Sequence, residues 1–404
     1  MSDGTPWVLA IDLGTSYSLA ASQRLGGAAE VLEIGGLRRV PSIVYADDGG
    51  PVVGRVALEL ASSAPARAIR TPKRRLGDPT PAILGGRPHD VTDLVAALLR
   101  HIHGEAVRHH GSAPALVRLT HPARWGTARR RGLVAAAERA GLGRVELVAE
   151  PVAAAVAYAR EARVPVGARV LVYDLGGGTF DTAVLQASAD GFDVLGEPGG
   201  DETIGGELFD ELLVAEVAER ALEPDVREQL LTSDDDLWRR AAVLLQSEVC
   251  RVKELLSEHP STDCLVSLPV GMVSERITRD DLRTIVEPYL AETMEVVRDT
   301  LAMAGVDVAD LAAVHLAGGA SRMPLVAELV AETLPGVPLS RRGDPKAAVA
   351  LGAVLLGAPA DRPLGADRVA GGGGSEDDEE TVIAAAAAPE AGPVARTAAA
   401  AADA

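Results

Sequence analysis

Twice in this chain an apolar strand pattern runs into an aspartate, a glycine turn and a second strand. VLVYDLGGGTFDTAVLQA carries the pattern around Asp174 to Asp181, and WVLAIDLGTSYSLAASQ carries it around Asp12. The β-favouring residues on both sides of each turn predict strand, turn, strand. In the first of these, Gly176, Gly177 and Gly178 leave a turn whose inner face has no side chains, so its backbone N–H groups can close on a phosphate. In the second, Gly14 makes the turn and Thr15 and Ser16 begin the return strand. Asp174 and Asp12 each end a strand where a carboxylate can hold a hydrated Mg²⁺. Either turn alone is also readable as a plain hairpin. The repetition predicts two similar halves. If they face each other, two aspartates flank one divalent cation and two turns grip one polyphosphate, which suits a nucleoside triphosphate.

The 404 residues are enough for two domains or one bilobed unit. A formal net charge of -19 argues against a nucleic-acid partner. The basic runs Lys73–Arg75 and Arg129–Arg131 are isolated and lack interleaved aromatics. Cys250 and Cys264 form no close ligand pair and read as reduced thiols. Neither a signal-peptide pattern nor an apolar run of roughly 20 residues is present, so a soluble, cytoplasmic protein without a membrane partner is expected.

Between the two turns, VTDLVAALLRHIHGEAVRHH (91–110) has helical spacing. Its histidines His101, His103, His109 and His110 invite a metal reading, but no second ligand cluster supports one in the sequence. In LVAEPVAAAVAYA (147–159), Glu150 precedes a proline and a helix with no polar face, which must be buried. Glu150 is therefore a capping group or a catalytic one, and the residues alone leave both open. Lys73 by itself reads as a surface charge. Further on, Gly205–Gly206 precede an amphipathic helix, residues 235–258 form a long helix, and Gly318–Gly319 join a strand to a helix as an anion or nucleotide contact. DPKAAVALGAVLLG (344–357) reads as a buried helix of small residues.

Taken together, IDLGTSYS (11–18), KRRLG (73–77), HPARW (121–125), AEPVAAAVAYA (149–159), VYDLGGGTFD (172–181), GGELFDELL (205–213), LAGGASRMPLV (316–326) and DPKAAVALGA (344–353) resemble the nucleotide-binding domain of the seventy-kilodalton heat-shock chaperones, the DnaK family. This family lies within the actin and sugar-kinase superfamily. The resemblance covers residues 7–357 in the family's order and spacing. It implies an α/β, bilobed actin-like ATPase fold, with two ribonuclease-H-like halves around a nucleotide cleft. The division expected is residues 1–165 for the first lobe, with an insert at about 36–90, and 166–358 for the second, with an insert at about 205–281. Residues 359–404, with GGGG, EDDEE and an alanine-rich end, are expected to form a disordered tail.

The resemblance also implies ATP or ADP with Mg²⁺, and K⁺ as a further candidate. Asp12 and Asp174 would hold the hydrated metal, while Gly14, Thr15, Ser16, Tyr17 and Gly176, Gly177, Gly178 and Thr179 would cradle phosphates. Lys73, Glu150, Thr179 and Asp181 would surround the attacking water, with Asp174 beside them. Gly205, Gly206, Glu207, Lys253, Ser257, Gly318, Gly319 and Arg322 match positions contacting nucleoside or phosphate. Lobe rotation would be the state change coupled to slow ATP hydrolysis.

There are departures as well. Tyr17 replaces the usual asparagine, and Glu254 stands where an arginine often stacks on adenine. Glu146 and Ala149 replace the residues through which J-domain partners act, which disfavours such partners and leaves an exchange factor or other regulatory protein as the candidate. The family's acidic-aliphatic linker and β-rich peptide-binding domain are not legible after Gly357. The expectation is a monomeric, nucleotide-driven switch without its own peptide-binding domain. Against it stand an actin-like filament former, a small-molecule kinase and a scaffold that binds nucleotide without turnover. The acidic run before Thr381 is also a candidate kinase and phosphothreonine-reader site, set against a merely solvating tail.

Overall fold

The fold is that of a computed structural model, which describes residues 5–161, 164–233, 235–340, 345 and 347–357. The tail with Thr381 lies outside the described residues.

The chain opens with β1 (Trp7–Asp12), β2 (Tyr17–Arg24), β3 (Ala29–Val31) and β4 (Val40–Pro41). It then makes β5 (Val44–Asp47), β6 (Gly50–Val53), α1 (Gly54–Ser63), β7 (Ala68–Ile69) and the hairpin β8 (Ala82–Leu84) with β9 (Arg87–His89). α2 (Val91–His110), β10 (Leu116–His121), α3 (Thr127–Ala140), β11 (Val145–Ala149) and α4 (Glu150–Glu161) follow. Next come β12 (Arg169–Leu175), β13 (Phe180–Ser188), β14 (Gly191–Asp201), α5 (Gly206–Ala221), α6 (Pro224–Thr232) and α7 (Asp236–Leu256). The chain ends with β15 (Ser261–Leu268), β16 (Gly271–Thr278), α8 (Arg279–Ala304), β17 (Leu311–Ala317), α9 (Pro324–Thr333), β18 (Leu339–Ser340) and α10 (Ala348–Leu355).

Two sheets share one topology. The first runs β11-β10-β1-β2-β3, with β4 also on β2, and the second runs β14-β13-β12-β17-β18. In each, the first strand pairs antiparallel with the second and parallel with a later one, β10 on β1 and β17 on β12. The central strands β1 and β12 are almost continuously apolar because both of their faces are covered. The two glycine turns thus follow equivalent strands of the two sheets, which is the architecture of an actin-like fold with paired halves.

A shared core joins the halves. Ala153, Ala154 and Ala155 of α4 and Ala350 and Ala353 of α10 are buried with Ala10 of the first sheet and Val170 and Val172 of the second. The small residues of α4 and α10 are there because the helices approach closely. A Cβ on Gly352 would collide with the Ala153 carbonyl. α10, which the sequence division puts with the second lobe, packs on α4 and on β1, β2 and β10. Its last turn is gripped by the buried Arg118 of β10, which donates to the carbonyls of Ala353, Leu356 and Gly357 at 2.9, 2.5 and 3.0 Å. Arg118 also pairs with Glu146 at 3.2 Å.

Candidate nucleotide and metal site

The two repeated turns come together. A Cβ on Gly177 would collide with the Ser16 side chain, and one on Gly178 would lie 2.5 Å from Thr15 Cγ2 and 2.7 Å from Arg74 Nη2. The turn at Gly205 joins them, since a Cβ there would come 2.7 Å from the Gly178 carbonyl carbon. Gly206 N–H donates to the Gly176 carbonyl at 3.0 Å and Glu207 N–H to that of Gly177 at 2.6 Å. The third turn closes on the same place. Gly318, at φ +79°, would drive any Cβ into the Asp174 carboxylate, so only glycine brings β17 this close. After Gly319 the chain makes a short 3-10 turn through Arg322, which is exposed, before α9 begins.

Beneath the turns lies a cluster of charges drawn from five separate segments. Lys73 and Glu150, each 6% exposed, pair at 2.8 Å although 77 residues apart. Lys73 comes from a 3-10 turn begun by Pro72, and Glu150 opens α4, held there by Pro151 and the buried alanine helix behind it. Asp12 ends β1 and accepts from Thr120 Oγ1 of β10 at 2.8 Å. Asp174 and Asp181 face each other across the β12–β13 pair, and Asp181 accepts from Arg124 Nε at 2.8 Å. Lys73 also lies over the Trp125 ring, 5.4 Å from its centre.

Electrostatics bind these groups into one site. Desolvation first, and the Glu150 charge second, push Asp12 up to about 6 against the pull of Lys73 and Thr120. The same two causes push Asp181 up to about 6 against Arg124. Asp174 is raised well above the ordinary carboxylate range by desolvation and by Glu150, Asp181 and Asp12. Desolvation works to lower Lys73, but Glu150, Asp12 and Asp181 outweigh it and raise the amine.

Four carboxylates thus face two cations, Lys73 and Arg124, which leaves two negative charges when all are ionised. A divalent cation matches that deficit, and carboxylate oxygens are the donors Mg²⁺ prefers. The residues present therefore fit a magnesium ion.

Some of the remaining expected residues lie at the facing turns and others on α7. Thr15 is buried, and Ser16 donates to Glu207 Oε1 at 2.7 Å across the two halves. Gly14 turns so tightly that a Cβ would meet the Tyr17 carbonyl. Tyr17 is partly exposed beneath Arg39, whose guanidinium lies 5.3 Å from the ring centre and 3.6 Å from Glu254. Glu254 is thus paired by an arginine from the other half, where the resemblance expects an arginine at 254 itself. Lys253 donates to the Gly206 carbonyl at 2.6 Å and pairs with Asp210 at 2.7 Å. Ser257 caps the end of α7.

Thr120, Arg124 and Arg74 were not singled out from the sequence. Arg74 donates to the Gly178 carbonyl at 2.8 Å and pairs with Glu207 at 3.3 Å. The signal for Arg124 and Arg74 was their place inside HPARW and KRRLG. Thr120 carried no such signal.

Two equivalent β-sheets whose glycine turns meet over paired aspartates and a lysine–glutamate pair define an actin-like nucleotide-binding fold. A family profile described as Hsp70 protein matches residues 82–360. The chain is 34% identical over 369 residues to a chaperone protein HscA homolog from Burkholderia pseudomallei strain 668, covering 85% of this chain and 57% of that one. A Burkholderia mallei homolog matches equally, and one from Azotobacter vinelandii is 32% identical over 375 residues, covering 85% and 56%. The chain belongs to the Hsp70 family. It spans a little over half the length of the relatives it matches. No helix of the described residues is long and apolar enough to cross a membrane.

Proposed function

We propose that this protein binds ATP or ADP with Mg²⁺ between its two halves and hydrolyses ATP slowly, acting as a nucleotide-driven two-lobe switch in the cytoplasm. The observation that carries this reading is the buried Lys73–Glu150 pair set beside three aspartates with raised proton affinity. Phosphoryl transfer to water requires positioning and charge neutralisation more than covalent chemistry. Lys73 offers a fixed ammonium to the γ-phosphoryl oxygens. Glu150, held by that ammonium, offers a carboxylate that orients water. Thr179 and Asp181, at the start of β13, complete the water's surroundings, and Arg124 holds Asp181 in place. Asp12 and Asp174 would hold the metal, which when bound neutralises charge on the phosphate oxygens. The glycine turns present backbone to the phosphates where a side chain would not fit. Peptide binding is not attributed to residues 5–357.

Turnover of radiolabelled ATP by wild type, Lys73→Ala and Glu150→Ala tests the reading. Each substitution is expected to lower turnover by about 10²- to 10³-fold, the scale of losing one electrostatic stabiliser. Equal rates in all three proteins would overturn it.

A further inference from the structure

The four histidines of α2 found no companion donor in the sequence, but the folded chain supplies one. His109 and His110 end α2, and Glu30 lies on the edge strand β3. One donor atom from each of the three lies within 4.8 Å of the other two.

The surroundings are organised around His110. Ser22 of β2 and Glu30 of β3 are register partners, so their side chains stand on the same face of the sheet. Ser22 Oγ lies 3.0 Å from His110 Nε2, and Trp7 stacks on the imidazole with ring centres 4.0 Å apart. The His110 residue is 5% exposed, and its Nδ1 is buried without a hydrogen-bond partner among the described residues. A neutral imidazole donates from one nitrogen and offers a lone pair at the other. In the tautomer whose Nε2–H donates to Ser22, the lone pair sits at the unpartnered Nδ1. Metal-bound histidines are held in this way, one nitrogen on the ion and the other on a second partner.

We propose that Glu30, His109 and His110 form a binding site for a divalent d-block cation, with water completing its coordination. Two imidazoles and one carboxylate make a donor set that suits Zn²⁺, Ni²⁺ or Cu²⁺ rather than Mg²⁺ or Ca²⁺. The site is separate from the carboxylate cluster. Trp7 begins β1 and Asp12 ends it, and a six-residue strand at about 3.4 Å per residue keeps them about 17 Å apart. A bound ion ties the sheet edge at β3 to the last turn of α2.

Untagged full-length protein, stripped with a chelator, is titrated calorimetrically with Zn²⁺ and by tryptophan fluorescence with Cu²⁺. One equivalent of Zn²⁺ is expected. His109→Ala and Glu30→Gln change exposed side chains, and each is expected to weaken binding at least tenfold. Ser22→Ala, which removes no ligand, is expected to weaken it about 10- to 100-fold through loss of orientation. Cu²⁺ is expected to quench part of the fluorescence, because Trp7 is one of three tryptophans, and Trp7→Phe to remove that quench while Zn²⁺ still binds. No stoichiometric binding, or wild-type Zn²⁺ affinity in both His109→Ala and Glu30→Gln, would overturn the proposal.

Discussion

Asp12 shows most directly what the cleft costs the chain that carries it. Its carboxyl titrates at about 6 in the fold, against about 3.9 in an unfolded chain. Between those values the folded chain binds more protons, so stability falls as pH rises through the window and is penalised fully above it. Asp12→Asn removes the penalty. Free of metal and nucleotide, that variant is expected to be more stable than wild type at pH 7.5 by about 2–3 kcal/mol, from about 1.36 kcal/mol per pKa unit. The advantage should fade towards pH 4.5. Using the difference between the two proteins cancels buried histidines such as His315, lowered to about 4, whose effect runs the other way. Urea unfolding at the two pH values measures it, and a variant no more stable than wild type at pH 7.5 would defeat the argument. If Mg²⁺ and ATP bind as proposed, the order should reverse in their presence, because the variant lacks a carboxylate oxygen proposed to hold the metal. At this scale the sequence was partly readable. The two aspartates were marked by their repeated turns and Lys73 and Glu150 by family resemblance, but Thr120 was invisible because its partner lies 108 residues away. Only the parallel register of β1 and β10 brings the two together.

Elements were more legible than their contacts. The helix expected at 91–110 is α2 (Val91–His110), begun by Asp90 accepting from the Thr92 N–H and ended by Gly111 in the left-handed conformation. That expected at 235–258 is α7 (Asp236–Leu256). These followed from periodicity, which is local. What periodicity does not carry is which helices cross, and Gly352 decides one such crossing. In Gly352→Ala the added methyl has the Ala153 carbonyl in its way, so α10 and α4 must part. A loss of about 1–3 kcal/mol is expected, the range for overpacking. Since α4 begins at Glu150, ATP turnover should fall as well. Gly104→Ala, in α2 with open space around its Cβ, should instead gain up to about 1 kcal/mol. Thermal melts of the two variants check this pair, and equal shifts would contradict the packing account.

Across the whole molecule, polar links join the halves: the Arg124–Asp181 pair, the Arg129–Glu202 pair and a partly exposed set at the turns. Ser16 and Arg74 both reach Glu207, Arg74 also holds the Gly178 carbonyl, and Arg39 reaches Glu254. Such partly exposed pairs are worth about 0–1 kcal/mol each, so losing one costs little stability. Glu207→Ala removes two links at once. It should leave the melting temperature nearly unchanged while releasing a fluorescent ADP analogue several-fold faster in stopped flow. Unaltered release would mean that opening is governed elsewhere. The grip of Arg118 on the end of α10 bears on the same motion. At Gly357 the chain is tied to β10, the strand next to β1, which ends in Asp12. A force applied at Gly357 therefore enters the first sheet through Arg118, one strand away from Asp12. The end of α10 is a mechanical anchor on that sheet.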